Sequence, residues 1–382
     1  MLRLVPRLNY HYSLKDAFIG FWGIFKKRDD DNAIRSLFNN RNIVYVNHAR
    51  TGLRIALNSL NLVKGSGVGI QVYNCHTAYS AIEKAGYKPV FIDIKDSFQL
   101  DIDDLKTKRS EISALVVTHL FGIPADMDRI KDVIPEMPVI EDCAHSFLSK
   151  YKGKLTGSLA DIGVFSIGKA KFPSIGNGGF IVVNNIEYLD FIKTEVDSLN
   201  KPTKAFEFKL LITNLIFSIL HFPFIYRIFT YPYLKKLDEK RDFSGKFDNN
   251  ETHIPKISKS LFIYKLNTNI ENLLLQQKNA KEILIHYPEY STLDKLISDK
   301  NYDSNFFMLP LLVTEKKKEF IEWHKKNGIE LAGHFSRSID WARKYGYRQG
   351  QCSNSEKIAS SITVFPTYRK IDANYTIYLQ TM

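Results

Sequence analysis

The sequence predicts an α/β fold in which a large, mostly parallel sheet is followed by a smaller α+β domain. Short apolar segments alternate with segments of helical periodicity between residues 43 and 183. The apolar segments are continuous runs, which is typical of strands buried on both faces of a parallel sheet. A chain of 382 residues is long enough to bury such a sheet and to form a second domain.

The individual elements are predicted from residue 43 onward. Strands are expected at residues 43–46, 68–72, 89–94, 114–117, 139–141, 162–165 and 180–183. Helices are expected at residues 53–60, 77–84, 103–108 and 127–133. Repeated strand–helix–strand units place successive strands parallel, with helices on both faces of the sheet. Ligands bind such sheets at the carboxyl ends of the strands, so the residues that directly follow the strands are candidates for function.

Two lysines, Lys169 and Lys171, lie on a glycine-rich connection between the predicted strands at 162–165 and 180–183. Glycines allow the backbone to approach a ligand closely, and desolvation beside apolar strands favours the neutral form of a lysine. A neutral lysine amine can form a Schiff base with a carbonyl compound or with pyridoxal phosphate. Surface lysines near glycine turns are common, however, and these residues alone favour that simpler interpretation.

Two other strand ends carry polar groups. Asp142 directly follows the predicted strand at 139–141, where a carboxylate can pair with a protonated ring nitrogen, cap a helix or bind a metal. Residues 47–52 connect a strand to a helix through small residues. The free amides of a helix N-terminus bind anions, so this junction is a candidate phosphate site.

Charge and cysteine content restrict the class of protein. The formal net charge of +12 predicts an anionic partner: nucleic acid, a membrane surface or a phosphorylated small molecule. Because no recognition motif supports nucleic acid, we expect none to bind. The three cysteines form neither a CxxC pair nor a zinc pattern with histidine, so we expect no metal and a cytoplasmic protein. The first seven residues lack an uninterrupted apolar core, and we expect no secretory signal.

Four motifs occur in a characteristic order. They are H-A-R-T at residues 48–51, H-L-F-G-I-P-A-D-M at 119–127, I-E-D-C-A-H-S at 140–146, and the segment at 165–179 that ends in G-N-G-G. In these motifs the chain resembles the DegT/DnrJ/StrS family of nucleotide-sugar aminotransferases. These enzymes have the aspartate aminotransferase fold (fold type I) and use pyridoxal phosphate (PLP). The resemblance covers residues 40–195 well and the C-terminal part more loosely.

The resemblance implies roles for particular residues. Lys171 falls at the position that forms the Schiff base with the cofactor, and Asp142 at the position that pairs with its ring nitrogen. Further cofactor contacts are implied for the hydroxyl of Ser166, the backbone amides of Ala49 and Arg50, the ring of His145, and Cys75 and His76 beside the cofactor ring. His334 is implied near the substrate, although the residue on its own favours a structural role.

The chain also departs from the family pattern. His48 replaces the usual serine of the phosphate turn, and Asn177 replaces the glutamate of G-E-G-G. Cys75 stands where an aromatic side chain often covers the cofactor ring. The G-Y-N-[YF]-R segment, which reaches a neighbouring subunit's site in the family, has no clear counterpart at residues 253–262.

The resemblance implies a cytoplasmic, homodimeric aminotransferase that converts a nucleotide-linked keto sugar into an amino sugar, with L-glutamate as amino donor. The product would serve surface polysaccharide or related glycan synthesis. One alternative is a sugar dehydratase of the same family, in which histidine replaces the Schiff-base lysine; Lys171 argues against it. The other is a non-catalytic, membrane-associated binding protein that keeps the fold.

The expected domain division places residues 1–255 in the large domain and 256–382 in the small one. The small domain is predicted to contain a strand at 306–312, a helix at 316–326 and a final helix from about residue 355. An apolar, aromatic insertion at about 204–241 is flanked by basic residues and is slightly short for a membrane span. It is expected to form a helical hairpin that packs on the catalytic domain or on a dimer partner, or that lies in a membrane interface; a true span is the remaining alternative.

Overall fold

The computed structural model describes residues 2–10, 12–26, 30–240 and 250–368, with the backbone alone at 237–240. Its strands are β1 (Asn42–Val46), β2 (Gly67–Gln71), β3 (Lys88–Ile92), β4 (Ala114–Thr118), β5 (Val139–Cys143), β6 (Lys150–Tyr151), β7 (Lys154–Leu155), β8 (Ile162–Ser166), β9 (Gly179–Val183), β10 (Tyr302–Asp303), β11 (Met308–Leu312) and β12 (Ile362–Pro366).

The helices of the first half are α1 (Leu14–Phe25), α2 (Asn32–Leu37), α3 (Ala49–Ser59), α4 (His76–Lys84), α5 (Ile102–Lys108), α6 (Met127–Val133), α7 (Leu189–Asp197), α8 (Lys204–Leu220), the single turn α9 (Pro223–Ile225) and α10 (Tyr231–Lys240). Those of the second half are α11 (Lys256–Tyr264), α12 (Leu266–His286), α13 (Asp294–Ser298), α14 (Lys317–Lys326), α15 (Ser338–Arg343) and α16 (Ser353–Ser361).

The large sheet has seven strands in the order β1-β9-β8-β5-β4-β2-β3. Strands β3, β2, β4, β5 and β8 run parallel to one another. Strand β9 alone is reversed, because it follows β8 through one connection without a crossover helix and pairs antiparallel with both β8 and β1. The predicted α/β fold and all seven predicted strands are confirmed.

Both faces of this sheet are buried, as the continuous apolar strands predict. On β4, Val116 belongs to one apolar cluster, whereas its neighbours Leu115 and Val117 belong to another. Successive side chains of a strand point to opposite faces, so the two clusters lie on opposite sides of the sheet. The parallel strands therefore end together at one edge, where the residues that follow β4, β5 and β8 meet.

The small domain contains a strand that the sequence analysis did not predict. Strand β12 follows α16 and pairs antiparallel with β11, so α16 is not the final element. Helix α11, just beyond the expected boundary at 255, packs on the large sheet with the Phe262 ring 5.3 Å from that of Phe180. The division at 255 and 256 stays a prediction.

The insertion forms helix α8, a break at His221 and Phe222, and a second helical stretch that begins at Pro223. In the described part of the chain, no single helix is long and apolar enough to cross a membrane. Helix α8 and the stretch Pro223–Lys236 meet the length and composition requirement only as a pair bent by 71°. Residue 241, the last of the predicted insertion, lies outside the described residues.

Candidate active site

A cavity of about 560 Å³ lies at the carboxyl ends of β4, β5 and β8. This volume is in the range of small-molecule sites. The cavity brings together seven of the nine site residues predicted from sequence, which are Ala49, Arg50, Cys75, Asp142, His145, Ser166 and Lys171. The other two, His76 and His334, do not line it.

The structure separates the two candidate lysines. Lys169 places its Nζ atom 3.8 Å from the centre of the Phe217 ring of α8, in a cation–π contact. Lys171 lies deeper in the cavity, where burial lowers the pKa of its amine from 10.5, and the charges of Cys75 and Asp142 oppose that shift. Because Lys171 is the desolvated amine that faces a carboxylate, it is the better placed nucleophile.

Asp142 is buried at the end of β5, and each of its two carboxylate oxygens accepts one hydrogen bond. Its Oδ1 accepts from the Ala144 amide at 3.1 Å, and its Oδ2 accepts from the Thr118 hydroxyl at 3.2 Å. Burial raises the pKa of this carboxyl above 3.8, although the two hydrogen bonds and the Lys171 ammonium lower it. A buried carboxylate of this kind is stabilised by a cationic N–H donor, so the site favours a protonated ring nitrogen.

The preceding residue, Glu141, belongs to a structural network that the sequence analysis missed. Its Oε1 accepts from the amides of Leu159 and Ala160 at 2.7 and 2.8 Å, and its Oε2 accepts from the Gly157 amide at 2.7 Å. The same Oε2 lies 2.9 Å from Nε2 of His119.

The tautomer of His119 follows from its second contact. Its Nδ1 accepts from the Ala125 amide at 3.0 Å, so Nε2 is the nitrogen that donates to Glu141. His119, Glu141 and Cys143 are close enough to one another to hold a metal. Hydrogen bonds already engage the imidazole and the carboxylate, so we assign the group a structural role. His119 and the motif at 119–127 thus fix the loops around the cavity.

The opposite end of the cavity is built for an anion. His48 is the extended N-cap residue of α3 and, with Ala49 and Arg50, lines the cavity. The first amides of a helix have no intrahelical partner and carry partial positive charge, and no acidic residue lies in this first turn. Ser166 adds a hydroxyl from the end of β8.

Gly179 allows this anion site to form. A Cβ atom at Gly179 would lie 2.6 Å from the Phe165 carbonyl oxygen and 2.8 Å from the Ala49 amide nitrogen. Any side chain would therefore push β9 away from the N-terminus of α3. The last glycine of the G-N-G-G motif thus allows two backbone segments to approach each other closely.

His145 forms a wall of the cavity together with Phe335, a residue that sequence analysis did not single out. The two rings are stacked, with centroids 5.4 Å apart and planes 15° apart. Burial holds the pKa of His145 well below 6.5, and Lys171 and His334 reinforce this shift. Its Nδ1 accepts from the Phe121 amide at 3.3 Å, so the neutral ring carries its proton on Nε2.

His334 lies behind this wall instead of on it. Its ring is 5.5 Å from that of His145 and 4.1 Å from that of Phe335, and its backbone carbonyl accepts from the Tyr73 hydroxyl. His334 does not line the cavity, and its contact with the substrate stays a prediction. Its neighbour Phe335 takes the place on the cavity surface.

Cys75 and His76 occupy different environments. Cys75 lines the cavity and accepts from the Thr77 hydroxyl at 3.1 Å. Burial would raise the pKa of its thiol, but His76, Lys171 and Thr77 outweigh that effect, and the pKa lies below 9.0. The His76 ring packs instead against Trp341 at 4.9 Å, so it is not placed to stack on a ligand in the cavity.

Helix α8 of the insertion supplies a wall that the family motifs do not include. Phe206, Lys209, Leu210 and Thr213 recur at helical spacing and line the cavity. Asn214 fixes the helix to the lysine loop, donating from Nδ2 to the Ile175 carbonyl at 3.4 Å. Gly176, at φ +113°, makes room for it, because a Cβ atom there would lie 2.4 Å from the Asn214 amide nitrogen.

Comparisons with known proteins agree with this architecture. The model of the DegT/DnrJ/EryC1/StrS aminotransferase family matches residues 28–201. GDP-perosamine synthase of Escherichia coli O157:H7 is 33% identical over 144 residues, which are 37% of this chain and 40% of that protein.

Two further proteins extend the comparison. A UDP-4-amino-4,6-dideoxy-N-acetyl-beta-L-altrosamine transaminase of Campylobacter jejuni is 30% identical over 44% of this chain and 46% of that protein. The chain thus spans less than half the length of either curated relative. The solved structure of Helicobacter pylori PseC, an aminotransferase of pseudoaminic acid biosynthesis, has a TM-score of 0.74 at 15% identity and covers 98% of this chain and 97% of that one. At that identity the likeness shows the fold.

Proposed function

We propose that this chain, whose residues 28–201 match the model of the DegT/DnrJ/EryC1/StrS aminotransferase family, is a PLP-dependent aminotransferase acting on a nucleotide-linked keto sugar. The amino group would come from L-glutamate, which leaves as 2-oxoglutarate. The observation that supports this most directly is the placement of Lys171, Asp142 and the N-terminus of α3 around one cavity. Two of the curated relatives, the GDP-perosamine synthase and the UDP-amino-sugar transaminase, are named for nucleotide-linked sugars.

The residues present fit pyridoxal phosphate. The first-turn amides of α3 and the Ser166 hydroxyl suit a phosphate, and the buried carboxylate of Asp142 suits a protonated ring nitrogen. The Nε2–H of His145 suits a phenolic oxygen, because the neutral ring can donate only from that atom. When bound, the cofactor supplies an electron sink for the carbon that exchanges its proton.

Lys171 performs the chemistry that this chain itself contributes. Its desolvated amine would hold the cofactor covalently and, once freed by the amino donor, would accept the proton of the reacting carbon and return it. Asp142 would hold a positive charge at the ring nitrogen, and Phe335 and Leu210 add apolar surface to the cavity. With the keto sugar bound, Lys171 would move the proton in the opposite direction.

Mixing experiments test this proposal. Purified protein is incubated with pyridoxal phosphate, and its visible absorbance is recorded before and after addition of L-glutamate. We expect a protein-bound band that fades as 2-oxoglutarate forms in equal amount. A folded protein that gives no band would exclude catalysis and favour the non-catalytic alternative. The dehydratase alternative is disfavoured because lysine, and not histidine, occupies position 171.

The pH dependence of cofactor binding should reflect the environment of Lys171. Its folded-state pKa lies below 10.5, so the reactive neutral amine forms at lower pH than in a free lysine. The Cys75 charge raises that pKa. In the Cys75→Ser variant, the rate of combination with pyridoxal phosphate should therefore begin to rise at a lower pH. The rate at which apo protein combines with pyridoxal phosphate, followed by absorbance, measures this. Cys352→Ser, at a buried cysteine that does not line the cavity, is the control, and an alkaline shift for Cys75→Ser would contradict the assignment.

The acceptor is proposed to bind against α8. Lys209 lies on the cavity wall and provides a cation suited to the diphosphate of a nucleotide sugar. We expect Lys209→Ala to raise the KM for the nucleotide sugar by roughly fivefold with little change in kcat, since an exposed ion pair contributes about 1 kcal/mol. Lys201→Ala, an exposed lysine just before the same helix, should leave KM unchanged. A fall in kcat alone would contradict a substrate-binding role.

We also propose that the enzyme is a cytoplasmic homodimer that works beside a membrane for surface polysaccharide or related glycan synthesis. The dimer is supported by the family resemblance. Membrane contact through residues 204–241 is supported by the exposed apolar residues of α8 and by the basic residues that flank it. The size of the purified protein by light scattering tests the dimer.

A further inference from the structure

The outer surface of α1 and of the insertion carries an unusual density of exposed apolar side chains. Six of them, with exposed fractions between 44% and 65%, are Phe18, Trp22, Ile216, Ile219, Ile228 and Phe229. Soluble proteins rarely expose contiguous apolar surface of this kind without a partner. Helix α1 lies outside the insertion in sequence, so the connection between the two segments appears only in the structure.

Helices α1 and α8 lie side by side and antiparallel. The Tyr12 amide, before α1, donates to the Ser218 hydroxyl near the end of α8 at 3.0 Å. At the other end, the Phe21 ring of α1 lies 6.0 Å from the Phe208 ring near the start of α8. The exposed apolar side chains of the two helices therefore form one surface, which we call the α1–α8 face. It includes Phe18 and Trp22 of α1 and Ile216 and Ile219 of α8.

Both helices rest on α11 and turn their opposite sides outward. A Cβ atom at Gly20 would lie 2.6 Å from Ile257, and one at Gly23 would lie 2.6 Å from Ser260, so two glycines let α1 approach α11 closely. Leu210 of α8 packs against the same Ile257. The exposed residues of each helix lie on the side away from this contact.

In these segments the acidic side chains are buried, whereas the exposed charged side chains are basic. Residues 12–26 and 201–236 contain two acidic side chains, Asp16 and Glu207, and both are buried. Asp16 pairs with Lys265 at 2.8 Å, and Glu207 accepts from the Lys256 and Ile257 amides at 2.7 and 3.1 Å. The exposed charged residues in these two ranges are all lysines: Lys15, Lys26, Lys201, Lys204, Lys209, Lys235 and Lys236.

We propose that the α1–α8 face binds the surface of an anionic phospholipid bilayer, which deepens the membrane contact proposed above. Apolar and aromatic side chains flanked by lysines match an interface of acyl chains beneath negative headgroups. The 71° bend after α8 suits helices that lie along the interface instead of crossing it. Trp22 is the type of residue that resides at the headgroup level.

Charge disfavours a second copy of the chain as the occupant. A two-fold interface places the same patch on both sides, so the lysines of one copy would meet those of the other. No exposed acidic side chain in residues 12–26 or 201–236 is present to pair with them. Like charges across an interface oppose association, whereas an anionic lipid surface would neutralise the lysines at the edge of the face.

Sedimentation with vesicles tests the proposal. Vesicles of phosphatidylcholine alone and vesicles containing one quarter phosphatidylglycerol are compared at low and high salt. We expect binding to the anionic vesicles that weakens with salt, and at least tenfold weaker binding by the double variant Phe18→Ser/Trp22→Ser. The matched control Val63→Ser/Ile285→Ser removes two exposed apolar residues elsewhere and should bind like the wild type.

The contributions of charge and of penetration into the bilayer are tested separately. Lys204→Glu/Lys236→Glu should lose binding to anionic vesicles, whereas Lys88→Glu/Lys278→Glu, equal in charge and outside the face, should retain most of it. Tryptophan fluorescence should shift to the blue on vesicle binding, and Trp22→Phe should keep the binding and lose most of the shift. Circular dichroism melting confirms that each variant is folded.

Three results would overturn the proposal. They are failure of the wild type to bind anionic vesicles, equal binding by Phe18→Ser/Trp22→Ser and the wild type, and conversion of a dimer to monomers by that double variant. The last result would identify the face as a contact between copies. None of these measurements depends on turnover, so failure of the proposed aminotransferase activity would be recognised independently.

Discussion

Replacing Lys171 with alanine is expected to abolish transamination and to leave the fold intact. The amine of Lys171 is the desolvated group that faces Asp142 in the cavity, and a methyl group can neither bind the cofactor covalently nor move a proton. Loss of a positioned proton-transfer group alone costs about 10²–10⁴-fold in rate. We therefore expect turnover to fall by more than about 10³-fold, measured as 2-oxoglutarate released from L-glutamate.

Lys169→Ala is the matched control for this experiment. Lys169 is only two residues away and is also partly desolvated, but its amine lies over the Phe217 ring of α8. We expect this variant to retain the visible absorbance band and most of its turnover. Turnover by Lys171→Ala near the wild-type rate, or its loss in Lys169→Ala instead, would show that the catalytic lysine is misassigned.

Two consecutive residues of β5 are expected to show opposite phenotypes. Asp142→Asn keeps the hydrogen bond that Oδ1 accepts from the Ala144 amide and turns an NH₂ group toward the Thr118 hydroxyl, which can reorient to accept; it removes the charge that faces the cavity. We expect kcat/KM to fall by about 10²–10³-fold, because the variant loses a preorganised charge. Glu141→Gln should instead destabilise the protein by roughly 3–5 kcal/mol, since either amide orientation turns an NH₂ group toward backbone donors.

The sign of the Asp142 effect on stability follows from its pKa. The folded-state pKa is raised above 3.8, so the apo protein loses stability as the pH rises from 3.8 through that pKa. Removal of the charge should therefore leave the apparent Tm at neutral pH unchanged or slightly higher. Thermal melts of the two apo variants, together with kcat/KM of Asp142→Asn, measure the contrast. A large loss of Tm in Asp142→Asn would mean that this carboxylate is mainly structural.

The sequence predicts the sheet well, because continuous apolar runs such as residues 114–117 are buried on both faces and leave little choice of structure. It also predicts the residues that gather at the strand ends, since strand ends meet wherever the strands are parallel. Strand β12 is missed because its run Ile362–Pro366 directly follows α16 without a turn that marks its start.

The sequence does not predict which way polar side chains face. Glu141 and Asp142 are adjacent carboxylates, and only the loop at 157–160 reveals that one binds backbone amides while the other faces the cavity. Asp16 and Glu207 look like ordinary surface charges of amphipathic helices, but contacts with α11 bury them. Such contacts join residues far apart in sequence, and helical periodicity carries no signal for them.

The cavity-lining residues of helix α8 and its exposed apolar residues lie on different sides of the helix. Residues 206, 209, 210 and 213 line the cavity, whereas Ile212 and Ile219 lie about a third of a turn away on the outer surface. Changes in one stripe need not disturb the other, so related proteins could keep the same acceptor while altering where the enzyme is held. Selection could likewise adapt the acceptor pocket without moving the enzyme from its place in the cell.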